Sequence, residues 1–194
     1  MKHGKLWRLL ALTAAAVGFS GCGADRATGP SADKMTPEVA AAGLLSELLD
    51  GLVSKDILTR KAALAEDITV TATIGKDGGT LSLPEAGFSL IVPPGAVGAP
   101  VEFSVTAVAG RSVVYEFAPH GIAFNVPLVA RQDLRVTDYR LFSWLGAAYF
   151  ADRAQLDLEA ATGLVSELVN GLTLPLTRQF YFPIRHFSGY MVTW

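Results

Sequence analysis

From Ile68 onward the chain alternates with a period of two. Ile68, Val70, Ala72 and Ile74 are separated by threonines, and Val101, Phe103, Val105 and Ala107 repeat the pattern. That spacing places every second side chain on one face of an extended strand. Glycine and proline punctuate it. Leu81-Ser82-Leu83 reads as a short strand ended by Pro84, and residues 88–92 as another, closed by Pro93-Pro94-Gly95. Further strands are expected over 113–117, 122–131, 164–169, 173–176, 179–184 and 187–194, with Pro127 at an edge or bulge. Residues 140–150 read as one or two strands running through Trp144. About ten short strands with turn residues between them, and no long helical pattern separating them, predict an all-β fold: an antiparallel sandwich or small barrel over residues 66–194.

The first residues follow a different logic. Lys2, Lys5 and Arg8 precede an apolar run over residues 9–19, then come Ser20-Gly21 and the single cysteine, Cys22. A basic start, a short apolar stretch and small residues make an export signal over residues 1–21. The run falls short of the ~20 residues of a permanent membrane helix. Phe19-Ser20-Gly21-Cys22 resembles a bacterial lipobox, in which the cysteine becomes the first residue and carries acyl chains, palmitate among them. The resemblance implies lipidation at Cys22 and membrane lipid as a partner. Gly23 and Ala24 follow, with no aspartate after the cysteine, which by likeness to known sorting patterns favours the outer membrane of the cell envelope.

Loss of the signal takes Lys2, Lys5 and Arg8 with it. That leaves 13 of the 16 basic residues against 18 acidic ones. An acidic chain has no means of neutralising a run of phosphates, so nucleic acid is excluded as a partner. One thiol forms no internal disulfide and no cysteine-rich zinc site. Residues 22–36, with Gly29-Pro30-Ser31, read as a flexible tether. A helix is expected over residues 37–50, with Thr36 as cap, Pro37 in the first turn and Leu44, Leu45, Leu48 and Leu49 at helical spacing. Leu58, Ala62 and Ala65 allow a second short helix within a connector reaching residue 65.

Three stretches carry more than periodicity: Gly78-Gly79-Thr80-Leu81; Gly87-Phe88-Ser89-Leu90-Ile91-Val92-Pro93-Pro94-Gly95-Ala96-Val97; and Pro119-His120-Gly121-Ile122-Ala123-Phe124, ending at Pro127. Together they resemble the ZU5 domain family, firmly over residues 74–131 and more weakly to residue 194. The resemblance implies a β-sandwich that acts as a protein-interaction or structural module, and it extends to ZU5-like lipoproteins of bacteria. Read from the residues themselves, the motifs are turn chemistry: Gly78-Gly79 for positive φ in a hairpin, Pro93-Pro94-Gly95 for a reversal.

His186-Phe187-Ser188 matches, residue for residue, the tripeptide at which certain ZU5 domains cut their own chain. The alternative this implies is autoproteolysis at the Phe187–Ser188 bond. The Ser188 hydroxyl would attack the Phe187 carbonyl, His186 would serve as base, and water would hydrolyse the ester. The plainer reading is a last strand with Phe187 in the core and Ser188-Gly189 at a pleat change. Of the two histidines outside the signal, His120 reads as a turn residue, and no metal or cofactor is expected. A small-ligand carrier is the remaining alternative. The expected function is non-enzymatic, with a protein partner bound through a sheet edge or loops.

Overall fold

A computed structural model describes residues 52–194. The signal, Cys22, the tether and the helix expected over residues 37–50 lie outside the described residues. The chain then forms sixteen strands: β1 (Val53–Asp56), β2 (Thr59–Leu64), β3 (Ile68–Ile74), β4 (Gly79–Leu83), β5 (Phe88–Val92), β6 (Val101–Ala107), β7 (Gly110–Ser112), β8 (Val114–Ala118), β9 (Ala123–Asp133), β10 (Gly146–Phe150), β11 (Leu156–Asp157), β12 (Thr162–Val165), β13 (Glu167–Asn170), β14 (Leu172–Leu174), β15 (Gln179–His186) and β16 (Gly189–Thr193).

Two sheets make the sandwich. One runs β13-β10-β16-β8-β6-β3 and the other β14-β15-β9-β5-β4. Neighbouring strands pair antiparallel throughout. Their inner faces meet in one core, to which the first sheet contributes Phe103, Val105, Tyr115, Phe117 and Tyr190, and the second Phe88, Leu90, Phe180, Phe182 and Ile184. Phe88 stacks on Tyr115 at 3.9 Å between centroids. Phe187 meets Phe103, Phe117 and Phe124 at 5.3, 5.4 and 4.9 Å. Each such aromatic pair contributes about 0.5–1.5 kcal/mol beyond the area it buries.

Among the described residues a third layer is present on one side only. Strands β1, β12 and β11 form a small sheet, and Val165 packs with Ile57, Val114, Ala148, Phe150 and Met191 in a second buried cluster. Four of these, Val114, Ala148, Phe150 and Met191, come from the outer face of the six-stranded sheet. Strands β10 and β16 are therefore buried on both faces, which explains their unbroken apolar runs Ala147-Ala148 and Tyr190-Met191-Val192.

The connector does not form its expected helix. Residues 53–64 make β1 and β2 instead. Of the helical-period positions only Leu58 is buried, Ala62 and Ala65 being exposed. Leu58 and its neighbour Ile57 are buried because the chain crosses from the small sheet to the sandwich there: Ile57 bridges Thr193, and the Leu58 amide donates to the Val192 carbonyl at 2.8 Å. Strand β2 also delivers Arg60, 1% exposed, beneath the sandwich end. Its guanidinium donates from Nη1 to the carbonyls of Val108, Gly110 and Ser112 and lies 5.5 Å from the Tyr115 ring centre. Burial in turn pushes the Tyr115 phenol pKa up.

The motif turns all change sheets. Gly78 takes φ +74°, as expected, but the turn joins β3 of one sheet to β4 of the other and is not a hairpin. A Cβ there would lie 2.4 Å from the Val92 carbonyl oxygen, so the close packing of this turn on the Pro93-Pro94 reversal also requires glycine. The segment after Val92 returns the chain to β6, and Pro119-His120-Gly121 carries it from β8 to β9. Pro127 falls in β9 where the register with β15 shifts, between the pairs Leu128–Ile184 and Ala123–His186, so the expected bulge is present.

Candidate functional site

The His-Phe-Ser tripeptide occupies the last change of sheet. His186 ends β15 in the five-stranded sheet, and Gly189 begins β16 in the six-stranded one, so the crossing is made by Phe187 and Ser188 alone. Phe187 is buried in the aromatic cluster, as the plainer reading expects. The Ser188 hydroxyl, itself buried, donates to the Phe150 carbonyl at 3.2 Å, and the Ser188 carbonyl accepts from the Phe117 amide at 2.9 Å. The His186 ring has other neighbours. Its Nε2 lies 3.5 Å from the Glu167 carboxylate, and the ring packs edge-on against Tyr149 at 4.8 Å. The hydroxyl and the imidazole are thus held by different partners, and the corner is a packed one. Tyr190 locks it from beneath, its phenol donating to the His186 carbonyl at 3.1 Å. Burial first, and the Glu167 charge second, raise the Tyr190 pKa.

His120 lies in a surface cleft of about 300 Å³ with Ser188, Glu116 and Arg153. Arg153 forks onto Glu116 at 2.7 and 3.0 Å and reaches Asp67 at 2.8 Å. The Asp67 pKa is lowered chiefly by the Ala109 amide it accepts from, then by Arg153. This network joins β8, the start of β3 and the turn before β11. Its members are far apart along the chain, so no local motif marks them.

The outer face of the five-stranded sheet is uncovered among the described residues. In β15 the odd positions Gln179, Tyr181 and Pro183 point away from the core, opposite Phe180, Phe182 and Ile184. Cross-strand pairing sets Leu172 beside Tyr181, Tyr181 beside Arg131 and Arg131 beside Ser89. The next row holds Pro183, Val129 and Ile91. Arg131 donates to the Ser89 hydroxyl at 3.0 Å and forms no ion pair among the described residues. The adjacent carboxylate, Asp133, is taken by Arg135 at 2.6 Å, which lowers its pKa. A cleft of about 350 Å³ opens there between Ser82, Arg131 and Gln179, and the buried Gln179 Oε1 has no hydrogen-bond partner. The alternation in residues 179–184 signals which side chains turn outward, but not that the face stays bare.

Residues 140–144 do not form the expected strand. They make a projecting loop, and the strand starts only at Gly146. The sequence is apolar here because the loop displays its side chains: Phe142 is 77% exposed and Trp144 61%. Phe142 takes φ +65°, a left-handed conformation that costs a bulky residue about 1–2 kcal/mol. Its amide donates to the Tyr139 phenol oxygen at 3.2 Å. An open groove of about 360 Å³ separates this loop from Gly171, Thr173 and Pro175.

Residues 70–114 match the family model of the ZU5 domain, so this β-sandwich carries a ZU5-type segment from β3 to the start of β8. The match takes in the first two of the three motif turns. No curated relative matches the chain.

Proposed function

We propose that this chain is an exported lipoprotein, acylated at Cys22 and held at the outer membrane, whose ZU5-type sandwich serves as a protein-interaction module at the cell envelope. The anchoring half rests on the residues before and at Cys22. The interaction half rests on one observation, the bare outer face of the five-stranded sheet. Tyr181 and Arg131 lie side by side there, with Leu172, Pro183, Val129 and Ile91 around them. Tyrosine and arginine are the side chains that most often anchor protein interfaces, and an arginine without a carboxylate partner favours a segment that brings one.

Two measurements test the two halves. Mass spectrometry of the chain purified from membranes should find acyl chains on a first residue corresponding to Cys22. The Cys22→Ser chain should be unacylated and released from the membrane fraction. Photo-crosslinking from position 181 in intact envelopes should yield a discrete protein adduct that Arg131→Glu abolishes. The absence of any adduct, or one indifferent to Arg131, would refute the docking face while leaving the anchor standing.

A further inference from the structure

Of the nine large apolar side chains that remain exposed among the described residues, six belong to two short stretches: Leu141, Phe142 and Trp144, and Leu172, Leu174 and Leu176. Pro175, at the turn after β14, lines the same groove as Phe142 and Trp144, so the loop over residues 139–145 and the turn over residues 175–178 lie at one end of the sandwich. Exposure is greatest at the tips, reaching 92% at Leu176. Two of the three non-glycine residues with positive φ, Phe142 and Arg178, are at these tips, so the backbone itself is bent to present them.

Charge follows the same two stretches. Arg140 stands two residues before Phe142, and Arg178 two residues after Leu176. Both are exposed, and neither forms an ion pair among the described residues. The nearest carboxylate in sequence, Asp138, is occupied by Arg111 and the Thr59 hydroxyl. Apolar and aromatic tips backed by free arginines match the order of a bilayer surface: acyl chains for Phe142 and Leu176, the interfacial zone for the amphipathic Trp144 indole, anionic headgroups for the guanidiniums. A protein groove would suit a recessed anchor, whereas Phe142 and Leu176 project.

We infer that the loop over residues 139–145 and the turn over residues 175–178 form a membrane-contact edge that inserts Phe142 and Leu176 into an anionic bilayer. This rests on the envelope reading only for the presence of a membrane. It adds an orientation, with this end of the sandwich turned to the lipid and the bare sheet face left free at its side.

The chain has three tryptophans, Trp7, Trp144 and Trp194. Trp7→Phe with Trp194→Phe leaves Trp144 as the single reporter in the full chain. On vesicles of phosphatidylcholine and phosphatidylglycerol with brominated acyl chains, Trp144 emission should shift to the blue and be quenched. Phe142→Ser with Leu176→Ser should abolish both effects while the far-ultraviolet circular dichroism stays unchanged. Arg140→Glu with Arg178→Glu should abolish the preference for phosphatidylglycerol. Trp144 emission that stays unquenched, whether the chain is held on the vesicles elsewhere or does not bind, would overturn the inference. So would protection of Trp144 by a protein cross-linked to the tips. Neither result would touch the reading of Cys22, whose acylation is measured by mass.

Discussion

The two outer faces of the sandwich differ in cover: among the described residues a third layer lies over β10 and β16 of one and over no strand of the other, and the strands beneath show why. In β16 all five residues are buried: Tyr190 and Val192 face the main core, and Met191 faces the small sheet. In β15 burial alternates, with Phe180, Phe182 and Ile184 inward and Gln179, Tyr181 and Pro183 outward. Beneath the small sheet β10 and β16 spend their outward positions on packing, whereas β15 turns its own to solvent. Packing and exposure therefore divide between these two strands of one domain. Substitution on the covered side should unfold it, and substitution on the bare side should leave the fold intact.

The sharpest way to break this contrast is Phe150→Ala. Phe150 is 1% exposed and lies in the second cluster beside Met191 and Val165. Its loss should cost about 3–5 kcal/mol, read as a lower midpoint in urea or heat. Gly189→Ala attacks the same contact from the other side. A Cβ at Gly189 would fall 2.2 Å from the Phe150 ring, to which all three of its nearest atoms belong, and that ring is itself buried. The expected loss is about 1–3 kcal/mol. Ser188→Ala, which removes only the hydrogen bond to the Phe150 carbonyl, should cost about 1 kcal/mol. The same variant bears on self-cleavage. With the Ser188 hydroxyl bonded to Phe150 and the His186 ring against Glu167, the unsubstituted chain should keep its full mass over days at neutral pH. A fragment beginning at Ser188, absent from Ser188→Ala, would reverse that expectation.

How far such contrasts are legible in sequence depends on what a single strand can report. Alternation in residues 68–74 and 101–107 gives the strands and their inward faces, because the inward side chain must be apolar whatever it meets. The turn motifs give the reversals, but not their destination. Gly78 is compatible with a hairpin and with a change of sheet, and only the pairing of β4 with β5 decides it. Residues 140–150 mislead for a related reason: an apolar loop built for display and an apolar strand built for burial have the same composition. In residues 53–64 helical spacing yields to pairing with β12 and β7, whose sequences lie far along the chain. The bare face needs the same long-range knowledge, since Leu172, Tyr181, Arg131 and Ser89 become one row only through registers across four strands.

Acid should touch the rim of the covered face more gently than any core substitution. The Asp67 pKa is lowered below its ordinary 3.8 by the Ala109 amide and Arg153, so its contribution is fully present above that ordinary value and is lost as pH falls through the lowered one. The carboxylate is largely exposed, and solvent screening holds the effect to a few tenths of a kcal/mol. Asp67→Asn should remove that part of the acid dependence and little else, as measured by thermal unfolding across the range. The smallest effect on stability belongs to the bare face. Tyr181→Ser removes a side chain that no buried cluster contacts, and its unfolding midpoint should move by about 0.5 kcal/mol or less. If it moved by as much as Phe150→Ala, Tyr181 would have to be packed beneath something in the folded chain. The two faces would then be alike, each with its own cover, and the bare row around Arg131 would no longer be free to bind.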